Sequence, residues 1–326
     1  MKLSQISDSV TWDKLVLASD SAHPLQLWGW GELKRQNGWQ PYRLADGDTP
    51  IAQMLIWSVP QLGWKLAYIP RGPLRGGEKK QVDRTVLQAL RDFAADQGAF
   101  CLQMEPGWAE QISWPDGWRQ SRRPILMRET FVIDLARCED ELLGAMARKT
   151  RQYIRKSAHD GVMVERDRDG RYLDQVLEVY SQTAKRAGFG LQAELYYRAL
   201  FTELGEHNAV YVALADQNVE AFLWLATASH TAFELYGGVT AAGERLRANY
   251  TLKWSAMQQM KASGVTYYDF NGNIHDGVGR FKQSFGPELI RYTGSWEYAL
   301  KPAQYQFFTK IWPLAKPIGR LLKRGT

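Results

Sequence analysis

The sequence predicts a mixed α/β (α+β) fold made of two similar units, and three observations carry that reading. The order strand, strand, strand, helix, strand occurs twice along the chain. The two helical segments share one apolar period and both end in glycine. The length of 326 residues accommodates two domains of roughly 100–200 residues, each large enough for its own core.

In the first unit, PYRLADGDTPIAQMLIWSVPQLGWKLAYIPRGP gives three strand-like runs, QVDRTVLQALRDFAADQG a helix, and FCLQMEP a further strand. In the second, VYVALADQNVEAFLWLATASHTAFELYGGVT, ANYTLKWSAMQQMKASG and TYYDFNG repeat that order. Asp46-Gly47-Asp48 and Asp216-Gln217-Asn218 lie between apolar alternations, where hairpin turns favour such residues. Val86, Leu87, Leu90, Phe93 and Ala94 form one helical stripe, and Leu252, Ala256, Met257 and Met260 another. Gly98 and Gly264 occupy the position after each helix, where a left-handed residue ends it.

Between the units, residues 139–160 read as one helix, with Leu143, Met146, Ala147, Thr150 and Ile154 facing a core. Arg148, Lys149, Arg151, Arg155 and Lys156 take its other face, a surface suited to phosphate or to solvent. The expected division is 1–138, completed by the C-terminal segment 300–326, against 139–299. The basic, amphipathic end of the chain suits either docking on the first unit or a peripheral contact at the inner face of a membrane.

Composition narrows the classes. A net charge of +6 favours an anionic partner over a cationic one, yet is modest for a dedicated nucleic-acid binder. Two cysteines, Cys101 and Cys138, lack metal or redox spacing and read as buried thiols. No apolar run is long enough to span a bilayer and the N-terminus has no signal-peptide core, so a cytoplasmic protein is expected. The five histidines are scattered, without metal spacing or a nucleophile elbow, and only His275 falls in a loop of interest.

That loop belongs to YYDFNGNIHDGVGRFKQSFG, residues 267–286. A short strand opens into Asp269, Asn271 and Gly272, then into glycine-punctuated chain carrying Arg280 and Lys282. Such a strand end lets backbone approach a ligand closely and sets a fixed cation against phosphate or a developing oxyanion.

The element order is similar to that of acetyltransferase (GNAT-like) domains, but neither GGEKKQVD nor AAGERLRANY matches their pyrophosphate loop, which disfavours an acyl-CoA donor. Four strings in order, PLQLWGWGELKRQNGW, YIPRGP, LLGAMARKTRQYIRKSAHDGVMV and YYDFNGN with GRFKQSFG, resemble the Fem family of peptidoglycan-bridge aminoacyltransferases. The resemblance implies two acetyltransferase-like subdomains, here without a coiled-coil arm. It also implies transfer of an amino acid from aminoacyl-tRNA to the stem peptide of a UDP-linked or lipid-linked peptidoglycan precursor, by a monomer with no cofactor and no metal.

By the same resemblance, Lys282 is the lysine near the reacting ester and Glu105 an acidic residue suited to act as base. Lys34 contacts precursor phosphates and Tyr236 lines the acceptor cleft. Trp30, Tyr250, Asn271 and Arg280 complete the expected substrate-binding set. Gln192 stands where an arginine clamp is expected, which shifts that role toward Lys34, or toward Arg186 or Arg198. Arg148, Lys149, Arg151, Arg155 and Lys156 are the expected tRNA contacts. Attack by an amine on an ester already activated needs placement and oxyanion stabilisation more than a cofactor. Two other readings stay open: an N-acyltransferase using acyl-CoA on a small amine or peptide, and a non-catalytic RNA-binding protein.

Overall fold

A computed structural model describes residues 1–60, 62–75, 83–109, 112–273 and 277–310. Its strands are β1 (Ser4–Gln5), β2 (Trp39–Asp46), β3 (Thr49–Ser58), β4 (Lys65–Pro70), β5 (Ala99–Glu105) and β6 (Trp118–Gln120). There follow β7 (Glu129–Asp134), β8 (Met163–Asp167), β9 (Asn208–Ala215), β10 (Asn218–Ala228), β11 (Thr231–Val239), β12 (Tyr267–Asp269), β13 (Glu288–Arg291) and β14 (Trp296–Ala299). They make two seven-stranded sheets, ordered β1-β2-β3-β4-β5-β14-β6 and β13-β7-β12-β11-β10-β9-β8.

The duplicated order read from sequence is present in both. In the first sheet β2, β3 and β4 are antiparallel neighbours, the helix Arg84–Asp96 crosses back, and β5 pairs parallel to β4. In the second β9, β10 and β11 do the same, and β12 returns parallel to β11 after the helix Ala248–Ala262. Parallel neighbours need such a crossover, whereas antiparallel ones can be joined directly by a short turn. Asp216 and Gln217 both take positive φ in the β9–β10 turn.

Each core forms where the expected helix stripe meets its sheet. Leu87, Leu90 and Ala94 are buried with Ile56, Ala67, Ile69, Leu102 and Met104. Leu252, Ala256, Met257 and Met260 are buried with Tyr211, Leu223, Leu225 and Tyr268. Each buried Leu, Ile or Met among them contributes about 1.5–3 kcal/mol by leaving water. Asp83 caps the first helix by accepting from the Thr85 amide at 2.8 Å. Gly98 and Gly264 end the two helices at φ +80° and +90°.

Three expectations change. The chain divides into one unit of Met1–Ser21, Lys34–Leu126 and the described residues from Tyr292, and another of Ala22–Leu33 and Met127–Arg291. The division thus falls before 138 and before 299, because β7 pairs with β12 and β13 while β14 pairs with β5 and β6. Residues 139–160 form two helices, Glu139–Ala145 and Arg148–His159, parted by extended backbone at Met146 and Ala147. The apolar period nevertheless survives the break, since Met146, Thr150 and Ile154 are buried, whereas Ala147 is exposed. Cys101 is buried as expected, but Cys138 is exposed, at the cap of Glu139–Ala145. The longest helices among the described residues have 15 residues. The end of the chain from 311 lies outside the described residues.

Candidate active site

In the second unit β11 keeps β10 as a partner along its length, from Thr231 to Val239, but pairs with β12 only from Thr231 to Phe233. Beyond Phe233 the two strands part. A β-bulge at Leu235, where Trp224 faces Tyr236 and Leu225 faces Glu234, re-aims the side chains at the point of divergence. The gap is a cavity of about 380 Å3. One wall is the continuous run Glu234–Val239, and the others include Lys253, Phe270, Asn271, Phe281 and Lys282. Six consecutive strand residues line it because the strand presents its edge rather than one face.

The DFNG turn after β12 positions Lys282. Buried Asp269 accepts hydrogen bonds from the Thr130 hydroxyl and, at 2.6 Å, from the Asn271 amide; the Gly272 amide donates to Thr130 Oγ1 at 2.9 Å. Asn271 takes φ +50° and Gly272 φ +127°, and a Cβ at Gly272 would lie 2.6 Å from the Met127 sulfur, so this turn requires glycine. The carbonyls of Phe270 and Gly272 are thereby fixed, and both accept from Lys282 Nζ, at 2.7 and 3.0 Å. Two of the three ammonium donors are used; the third has no partner among the described residues.

The same cavity is lined by a buried ion pair that the sequence did not reveal. Lys253 and Glu234 are in contact, with side-chain exposures of 6% and 10%, and the Tyr268 hydroxyl donates to the same oxygen, Glu234 Oε1, at 2.6 Å. Lys253 Nζ also lies 4.9 Å from the Phe270 ring centre and 5.5 Å from that of Phe281. Burial lowers the Lys253 pKa from its ordinary value; Glu234 opposes that shift and Lys282 adds to it. Burial and the Glu234 charge hold the Tyr268 hydroxyl well above its ordinary value.

Of the residues singled out from sequence, Tyr236, Asn271 and Lys282 meet in this cavity. Tyr236 packs against Tyr180, Tyr197 and Trp224, and burial raises its pKa, with Tyr196 and Tyr180 next in effect. Tyr250 meets Phe281 edge-on and stacks on Phe285 beside the cavity, and Arg280 is exposed on the helix Gly277–Gln283. Arg186 donates to the Val239 carbonyl at 2.7 Å and pairs with Glu244. Arg198 commits its guanidinium to Glu194 and Asp174, and Gln192 is exposed near it. Trp30 is buried in the helix Trp28–Gln36, whose residues to Leu33 group with the second unit.

On the helix Arg148–His159, Arg148, Lys149, Arg155 and Lys156 are exposed. Arg151 instead donates to the carbonyls of Leu143, Gly144 and Met146, ending the preceding helix. Lys156 pairs with Asp160 at 2.9 Å. His275 lies outside the described residues.

In the first unit Glu105 ends β5 and is 3% exposed. Its carboxylate accepts from the Tyr68 hydroxyl at 2.5 Å and from the amides of Ile125 and Leu126 at 2.7 and 3.0 Å. The Arg71 amide donates to the Glu105 carbonyl at 2.8 Å. YIPRGP is therefore tied to Glu105 at two points. Burial, with Glu105 next, holds the Tyr68 hydroxyl well above its ordinary value. Lys34 is half-buried in the last turn of Trp28–Gln36, where a cation meets the negative end of the helix.

Among the described residues no group of three or more His, Cys, Asp or Glu side chains is placed to hold a metal ion. No helix there is long and apolar enough to cross a membrane.

Comparison with known proteins places the chain. The lipid II:glycine glycyltransferase of Staphylococcus aureus (strain MRSA252) is 23% identical over an alignment 412 positions long, spanning 96% of this chain and 97% of that protein. A crystal structure described as FemX superimposes with a TM-score of 0.83 at 20% identity, covering 94% of this chain and 99% of that one. The structure of L-PGS from Bacillus licheniformis superimposes with a TM-score of 0.58 at 14% identity, covering 94% and 98%. These two likenesses show the fold. The model of the FemAB family matches residues 8–124, 116–224 and 215–311, nearly the whole chain, and the protein therefore belongs to the FemAB family.

Proposed function

We propose that this protein is an aminoacyltransferase that joins an amino acid, delivered as an aminoacyl-tRNA ester, to an amino group on the stem peptide of a lipid-linked peptidoglycan precursor. The observation that carries the reading is Lys282. Its ammonium is clamped by the Phe270 and Gly272 carbonyls on the wall of a cavity, with one N–H left over among the described residues. That donor meets the ester carbonyl oxygen as negative charge develops on it, and a preorganised cation in a partly dry site is worth about 3–4 kcal/mol to such a transition state. The lipid acceptor is taken from the S. aureus relative, whose name specifies lipid II and glycine. Lys34 holds the precursor's phosphates, and Arg148, Lys149, Arg155 and Lys156 meet the tRNA backbone. Glu105 serves the loop it binds, through the Ile125 and Leu126 amides.

The test is incubation with a mixture of radiolabelled aminoacyl-tRNAs and either lipid-linked or UDP-linked precursor. Label should move to the lipid-linked stem peptide, and ribonuclease should abolish transfer. Label reaching only the UDP-linked precursor overturns the acceptor assignment; transfer from an acyl-CoA without RNA overturns the donor assignment.

A further inference from the structure

The cavity wall carries a second pole. Glu234 binds Lys253 and Tyr268 through one oxygen, Oε1, while Oε2 has no hydrogen-bond partner among the described residues. A carboxylate held rigidly by one oxygen and open at the other is a receptor for a hydrogen-bond donor, and a cationic donor makes the stronger bond. Its surroundings suit a cation too: the faces of Phe270 and Phe281 already lie beside the Lys253 ammonium. Lys282, on the same cavity, offers the opposite charge. An aminoacyl ester presents both complements on adjacent carbons, a carbonyl oxygen that becomes anionic and an α-ammonium, the ordinary state of an α-amine below a pKa of roughly 7.7–8.0.

We propose that Glu234 is the specificity-determining residue for the donor: Oε2 receives the α-amino group of the aminoacyl ester while Lys282 faces its carbonyl oxygen. A plain acyl or α-hydroxyacyl ester fills the same space but leaves the carboxylate without its cationic partner. Lys253 and Tyr268 are positioning residues. They hold Oε1 and so fix where Oε2 stands. The assignment rests on the aminoacyl-transfer reading above and adds the reason that reading requires an amino acid rather than any acyl group.

The test pairs a change in the protein with a change in the donor. The tRNA that supports transfer is charged with its amino acid and, separately, with the corresponding α-hydroxy acid, and kcat/KM is measured for each. The wild-type protein should prefer the aminoacyl donor by about 100-fold or more, since the hydroxyl offers only a neutral donor where the site is built to bond a cationic one. Glu234→Gln should bring the two donors to within about tenfold, by losing rate with the aminoacyl donor alone.

Because Glu234→Gln strands the Lys253 charge, the double variant Glu234→Gln/Lys253→Met is measured beside it. It removes both charges, a change that buried pairs tolerate far better than loss of one partner. It too should lose the preference while melting near the wild-type temperature. A merely structural role would slow both donors alike and leave the ratio unchanged, and that result in the folded variants overturns the proposal. Equal use of both donors by the wild-type protein overturns it as well, with aminoacyl transfer left standing; absence of any transfer from aminoacyl-tRNA removes the functional reading and this one together.

Discussion

Lys282 and Glu105 illustrate how partners decide a residue's role. Lys282 uses two carbonyls as a clamp and keeps one donor among the described residues, so its removal should be felt in the transition state more than in binding. Lys282→Ala should reduce kcat by about 100-fold or more with little change in the KM of the acceptor; steady-state kinetics check this, and unchanged kcat would return the lysine to a structural role. Glu105 is committed to three donors. Glu105→Ala leaves the Tyr68 hydroxyl and two amides without that acceptor, at about 1–3 kcal/mol for each that stays buried and unsatisfied. A lowered Tm is expected, with near-normal turnover per folded molecule; loss of turnover at unchanged Tm would restore a chemical role. Lys282 was legible because Asp, Asn and Gly around it announce a special turn. Glu234 and Lys253 were not. Lys253 sits in a helix buried on most of its sides, including Ala248, Thr251, Leu252, Trp254 and Ala256, so no polar stripe set it apart.

At the scale of elements, the helix read across 139–160 shows what periodicity can and cannot report. The three-and-four spacing correctly identified Met146, Thr150 and Ile154 as buried, but a stripe can continue across a break. The break is maintained by tertiary bonds: Arg151 reaches the carbonyls at the end of Glu139–Ala145, and the Ala147 amide donates to the Ser284 carbonyl at 2.9 Å. The five cations therefore differ. Neutralising Lys149 and Arg155 to glutamine should leave Tm nearly unchanged and flatten the salt dependence of tRNA binding by about 0.7–0.9 log units for each phosphate no longer neutralised. Arg151→Gln should instead lower Tm. Binding titrations over a range of salt, with melting curves beside them, check both; an unchanged slope would make the helix a solvated surface. Gly29 gives a sharper case, since PLQLWGWGELK carries a glycine whose need is invisible locally. A Cβ there would stand 1.8 Å from the Glu203 carbonyl oxygen, so Gly29→Ala should cost about 1–3 kcal/mol or more, measured by denaturant unfolding.

At the scale of the whole molecule, the two sheets repeat all six neighbour relations, β1-β2-β3-β4-β5-β14-β6 matching β8-β9-β10-β11-β12-β7-β13 strand for strand. The sixth place breaks chain order. After β6, the seventh strand of one sheet, the chain supplies β7, the sixth of the other; after β13 it supplies β14 in return. The duplicated core was legible because each repeat is local, whereas this exchange defeats the ordinary expectation that successive strands pair, and so the boundaries could not be read from sequence. It has a directional consequence. Residues 127–291 contain every strand of the second sheet, but the first sheet needs β14 from beyond them, between β5 and β6. With β14 come the stacking of Trp296 on Trp114 at 4.7 Å, the Tyr305–Glu297 hydrogen bond, and the bond from Gln103 to Ser295 at 2.9 Å. Ending the chain after Arg291 should therefore unravel the first sheet selectively: amides of β4 and β5 should lose hydrogen-exchange protection while those of β9 and β10 keep theirs. Equal loss in both sheets would mean that the second cannot stand without the first, and undiminished protection of β5 would mean that β14 is dispensable to the sheet it completes.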